Sequence, residues 1–83
     1  MNAQISDPEL LSRVESVFRK VFPSTLVFRS DLRRADEADW TSLLHVEFLI
    51  GLEEEFGVRF DGADATDMSS IPDVIARLRE KLE

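Results

Sequence analysis

Apolar residues recur at helical spacing in three long stretches of this chain, and the segments between them break that rhythm. Leu10, Leu11, Val14, Val17, Phe18, Val21 and Phe22 fall at three- and four-residue intervals and define one broad face. Asp7 is placed to cap this first helix, with Pro8 in its first turn, where a missing N–H costs nothing. Pro23 pushes residue 22 out of helical backbone, so the pattern predicts a helix over 8–22. A second helix is predicted over 42–56, with Ser42 as its N-cap and Gly57 ending it in the left-handed conformation. This helix has two apolar stripes. Phe48, Leu49, Leu52 and Phe56 make one; Leu43, Val46 and Ile50 make the other, with Glu47, Glu53 and Glu54 beside it. Such a helix can bury one stripe and keep the other for a partner, although small bundles also bury both.

The linking segments are less regular. Residues 23–40 form a long connection in which Leu26, Val27, Phe28 and Leu32 are expected to anchor onto the core. Val27 and Phe28 have strand character, but the chain offers no second strand to pair with them. After Gly57 comes a short tether, Val58-Arg59-Phe60, and then a polar piece, 61–68, with room for one or two helical turns. A last helix is predicted from near Ser70, with Asp73 three residues on as a reduced capping box. Ile71, Val74, Ile75, Leu78 and Leu82 form its apolar face, and Arg77, Arg79 and Lys81 complement the dipole near its end. The expected fold is all-α: one domain over 1–83, a small four-helix bundle of three main helices and one short one. A long loop joins the first two helices.

Size and charge narrow the function. A chain of 83 residues buries only roughly 60–65% of the surface that its unfolded form exposes. A deep, walled active site is hard to build within that limit, which favours a binding or carrier module over an enzyme. The absence of cysteine excludes disulfides, thiolate metal sites and cysteine nucleophiles. Net charge is −7 and unevenly spread: residues 35–70 hold ten acids against Arg59 alone, a balance of −9. The remainder, seven acids and nine bases, balances at +2. An acidic centre opposes nucleic-acid binding and suits docking onto basic patches of partner proteins. Plain solubility is the simpler alternative. The stretch Met1-Asn2-Ala3-Gln4-Ile5-Ser6-Asp7 lacks the basic start and apolar run of a signal peptide. No apolar segment approaches the roughly 20 residues of a membrane span. The expectation is a soluble, cytoplasmic monomer.

Candidate nucleophiles are the hydroxyls of Ser42 and Thr41. The one histidine, His45, lies three residues beyond Ser42, but no orienting carboxylate or oxyanion hole accompanies it. His45 is therefore expected at the surface or rim of the second helix, and no catalytic residue is assigned. Glu53, Glu54 and Glu55 point around a helix, not at one spot. Asp61, Asp64 and Asp67 are spaced by three, with Gly62 misplaced for a calcium loop, so no metal ligands are assigned either. Ser42 fits two roles. It can cap the helix, or it can bear a phosphate, because first-turn N–H groups and the helix dipole favour an anion there.

From Ser42 to about Leu78 the chain resembles the acyl carrier protein family without needing a gap. The similarity rests on Ser42-Leu43, Val46-Glu47-Phe48, Leu52-Glu53-Glu54-Glu55-Phe56, the Val58-Arg59-Phe60 tether, the acidic turn and Ser69-Ser70-Ile71. The resemblance implies a 4′-phosphopantetheine arm attached to Ser42 by a phosphopantetheinyl transferase that uses coenzyme A and magnesium. The arm's thiol would hold acyl or aminoacyl groups as thioesters. Leu43, Val46 and Ile50, ringed by Glu47, Glu53 and Glu54, would dock the loading and transferring enzymes, where the chemistry would happen. Thr41 stands where the family usually has Asp, with Asp39 two residues further back. The loop before Ser42 is also longer than in housekeeping fatty-acid carriers, and Trp40 intervenes. Both features point to a specialised lipid, polyketide or aminoacyl pathway. The alternative is an unmodified acidic helical adaptor that only docks partner proteins.

Overall fold

The computed structural model describes residues 5–83, so the expectation concerning Met1–Gln4 lies outside the described residues. Four α-helices follow in order: α1 (Asp7–Val21), α2 (Ser42–Phe56), the short α3 (Gly62–Asp67) and α4 (Ile71–Leu82). One turn of 3-10 helix, Arg34–Asp36, interrupts the long loop between α1 and α2. This is the expected bundle of three main helices and one short one. Among the described residues, no helix is long and apolar enough to cross a membrane.

Local chemistry sets the helix ends, and the cap of α1 differs from the expected one. Ser6 caps α1, its hydroxyl accepting the Glu9 N–H at 3.3 Å; Asp7, expected in that role, is already helical. At the other end Phe22 turns to extended backbone ahead of Pro23, so α1 stops at Val21. Gly57 closes α2 at φ 66°, a left-handed conformation that glycine adopts at no steric cost. Asp61 and Asp64 cap α3 reciprocally, each side chain accepting the other's backbone N–H. Ser70 caps α4 through the Asp73 N–H at 3.1 Å, as the spacing predicts.

One core joins these elements. Leu10, Val14, Val17 and Phe18 of α1 meet Phe48, Leu49, Leu52 and Phe56 of α2 and Ile71, Val74 and Leu78 of α4, all buried. Helices α1 and α2 approach closely at Gly51, where a β-carbon would stand 2.8 Å from Cγ1 of Val17. Arg79 of α4 pairs with Asp7 of α1, and Arg13 of α1 reaches Glu55 of α2 at 2.8 Å. The guanidinium of Arg13 also lies 4.5 Å from the centre of the Phe56 ring.

The long loop is held at both ends of its path. Leu26, Leu32 and Trp40 are buried and Phe28 is half-buried. Val27, expected to anchor the loop, is 68% exposed, because Leu26 and Phe28 on either side of it take the places against the core. Phe18, Phe22, Phe28, Phe48 and Trp40 form an aromatic cluster with mostly edge-on contacts, such as Phe22–Trp40 at 5.3 Å. Further along, the Arg34 N–H donates to the Ser69 carbonyl and the Ile71 N–H to that of Leu32, each at 2.9 Å. This bridge between Arg33 and Ser70 gives the loop a partner that strand patterns do not reveal. The loop therefore enters α2 from a fixed position.

Candidate functional site

The N-terminus of α2 is built by three consecutive residues with different tasks. Trp40 is 2% exposed and locks the end of the loop into the aromatic cluster. Thr41 is the N-cap: its Oγ1 accepts the Leu44 N–H at 3.2 Å, and its carbonyl accepts the His45 N–H at 2.8 Å. Ser42, expected to cap, is instead the first helical residue and is exposed. The correction has a simple cause. Threonine is a competent cap one position earlier, and its extended backbone (ψ 168°) satisfies the geometry that a cap needs. Ser42 is thereby released from capping, and its hydroxyl lies at the surface.

That hydroxyl has one side-chain partner, which the sequence did not suggest. Arg34 donates from Nη2 to Ser42 Oγ at 3.0 Å and from Nε to the Trp40 carbonyl at 3.3 Å. No spacing rule links positions 34 and 42; the 3-10 turn and the Ser69 bridge bring them together. Asp39, two residues before Thr41, accepts from the Thr25 hydroxyl at 3.2 Å.

His45 also departs from expectation. It is 5% exposed, not a rim residue, and its ring is held between Trp40 Nε1 at 3.0 Å and the Ala65 carbonyl at 2.9 Å. It ties α2 to the loop and to α3, and its ring bonds leave it no part in activating Ser42.

Beyond Ser42, α2 presents Leu43, Val46 and Ile50, which are 68%, 52% and 48% exposed. These are three of the five large hydrophobics that stand out among the described residues. Glu47 and Glu54 beside them are exposed and form no ion pair among the described residues. Glu53 is partly committed, because its carboxylate accepts the Phe60 N–H at 2.7 Å and fastens the tether after α2. A shallow groove lined by Ile50, Glu53, Glu54, Gly57, Val58 and Arg59 continues the strip.

The acidic turn has a structural job. Asp64 is buried, and its carboxylate receives the Asp61 N–H at 3.0 Å, Lys81 at 3.0 Å and Arg77 at 3.3 Å. The Asp61 N–H first, then Lys81 and Arg77, hold its carboxyl below the usual carboxylate range against the opposing effect of burial. Arg77 also pairs with Asp67 at 3.0 Å. Part of the acidic centre is therefore neutralised by α4, while Glu47 and Glu54 beside Leu43, Val46 and Ile50 stay open.

The chain is 28% identical over 78 residues to an acyl carrier protein of Thermotoga maritima, a match covering 93% of this chain and 96% of that protein. No protein-family model matches. No solved structure matches either. The similarity to that acyl carrier protein runs across nearly the whole of both chains.

Proposed function

We propose that the protein carries acyl or aminoacyl groups as thioesters on a 4′-phosphopantetheine arm esterified to Ser42, in a specialised lipid, polyketide or aminoacyl pathway. The observation that carries this reading is the exposed Ser42 hydroxyl on the first residue of a rigid 15-residue helix. The residues present fit such an arm. The hydroxyl is not used as a cap, a guanidinium lies 3.0 Å away, and the positive end of the α2 dipole favours an attached phosphate. The arm, when bound, supplies the thiol that holds the cargo.

The chain's own contribution is presentation. Trp40 and Thr41 fix the start of α2, so an arm on Ser42 leaves from a defined point. The exposed strip of Leu43, Val46 and Ile50 offers apolar contact beside that point, and Glu47 and Glu54 add negative charge. Such a surface suits a phosphopantetheinyl transferase and loading or transferring enzymes with basic docking patches, the charge acting mainly on encounter rate. Glu53 contributes less, being held by the tether.

Intact-mass measurement after incubation with coenzyme A, magnesium and a promiscuous transferase tests the reading. The expected result is a gain of one phosphopantetheine that Ser42→Ala abolishes. No gain, or a gain that persists in Ser42→Ala, overturns it and leaves an adaptor that docks partners without an arm.

A further inference from the structure

The best-placed cation near Ser42 is Arg34, which shares the lack of an ion pair among the described residues with Lys20, Arg33 and Arg59 and differs from them in its hydrogen bond to Ser42. Arg13, Arg19, Arg29, Arg77, Arg79 and Lys81 each pair with a carboxylate. Arg34 forms no ion pair among the described residues, although Asp36, Glu37 and Asp39 are close in sequence. Its backbone is pinned to Ser69 at 2.9 Å, and its Nε is held by the Trp40 carbonyl at 3.3 Å. These contacts leave Nη2 of the guanidinium directed at Ser42, where it meets the hydroxyl at 3.0 Å.

Resting on the carrier reading above, we propose that Arg34 is a positioning residue for the phosphodiester on Ser42, its guanidinium pairing with the non-bridging phosphate oxygens. A neutral hydroxyl is a modest partner for a guanidinium. Esterification turns that oxygen into a weaker acceptor but places a full negative charge on the two non-bridging oxygens, two bonds beyond it. A guanidinium fork matches two phosphate oxygens and makes shorter, stronger bonds with them than with a hydroxyl. The pairing holds the root of the arm on the loop side of α2, next to Trp40. The other side of Ser42, toward Leu43 and Val46, is left open for a partner enzyme. It also couples arm attachment to the loop, because Arg34 belongs to the 3-10 turn bridged to α4.

The test compares wild type, Arg34→Gln and Arg34→Lys, each loaded from coenzyme A by a promiscuous transferase, with loading verified by intact mass. Melting temperature is measured for the unloaded and loaded forms, and the Arg34 Nε–H resonance is followed in wild type by NMR. Loading should raise the wild-type melting temperature by about 3 °C, the scale of one exposed charge pair in a domain of this size. The gain should vanish in Arg34→Gln, persist in part in Arg34→Lys, and shrink at high salt. The Arg34 Nε–H resonance should move on loading. Equal gains in wild type and Arg34→Gln, or a resonance that stays in place, overturn the proposal; if Arg34→Gln does not fold, the wild-type resonance decides alone. A wild-type protein whose mass never increases refutes the carrier reading itself, and the role of Arg34 falls with it.

Discussion

The indole N–H of Trp40 points at Nδ1 of His45 across 3.0 Å, within a core that leaves the two residues 2% and 5% exposed. An indole nitrogen can only donate, so Nδ1 must accept; the ring is neutral and its proton sits on Nε2, donated to the Ala65 carbonyl. Trp40→Phe keeps an aromatic ring in the cluster but leaves a buried imidazole nitrogen without its donor. The expected loss is about 1–3 kcal/mol, or roughly 5–15 °C in melting temperature. Urea unfolding of the two proteins measures it. A midpoint equal to wild type would show that the bond adds nothing to stability.

Asp64 predicts a pH dependence. Its carboxyl holds its charge more readily in the folded chain than in the unfolded one, because of the Asp61 N–H, Lys81 and Arg77. A depressed carboxylate contributes stability that is complete above the unfolded value, near ~4, and is lost as pH falls through the lower folded value. Asp64→Asn should therefore melt below wild type at neutral pH, and the gap should narrow as pH drops below about 4. A gap of constant size down to about pH 3 would mean that the charge of Asp64 is not what stabilises the turn.

Gly51 sits in the middle of α2, where alanine is ordinarily better by about 1 kcal/mol. Here the β-carbon would meet Cγ1 of Val17 at 2.8 Å, and Val17 is buried and β-branched, with few rotamers to yield. Overpacking of this kind costs about 1–3 kcal/mol, so the clash should outweigh the propensity. Gly51→Ala is expected to lower stability by about 1 kcal/mol in denaturant unfolding. A stabilised variant would show that α1 and α2 can separate slightly without penalty.

What could be read from the chain was what depends on neighbouring positions. The three long helices, the Gly57 stop, the Ser70 cap and the second stripe of Leu43, Val46 and Ile50 all follow from spacing within one element, whereas the exposure of that stripe was left open by the spacing and is settled by the fold. His45 was also readable in principle, since stepping back seven residues from Leu52 along the buried stripe lands on it. Its polarity masked its place, and only Trp40 and Ala65 make that burial affordable. The Arg34–Ser42 contact had no such signal. It depends on a 3-10 turn and on a bridge to Ser70, pairings across the fold that no local period encodes. Asp64 was obscured by its company: among many surface acids, its inward turn is set by Lys81 and Arg77, a long way along the chain.

Thr41 gives a prediction in which stability and loading can be separated. Its Oγ1 caps α2 through the Leu44 N–H at 3.2 Å, so its first task is structural. Aspartate is at least as good a cap as threonine, whereas valine keeps the shape of the side chain and removes the acceptor. Thr41→Val should cost about 1 kcal/mol, and Thr41→Asp should leave stability unchanged or slightly improved. Only the aspartate restores the carboxylate that the family usually places before its serine. Thr41→Asp should therefore load faster than wild type with a generic transferase, while Thr41→Val should load no faster. The two variants thus divide the position into a cap, read by urea unfolding, and a recognition element, read by the time course of mass gain. If Thr41→Asp loads no faster than wild type, threonine at this position does not limit modification, and Thr41 no longer points to a specialised pathway.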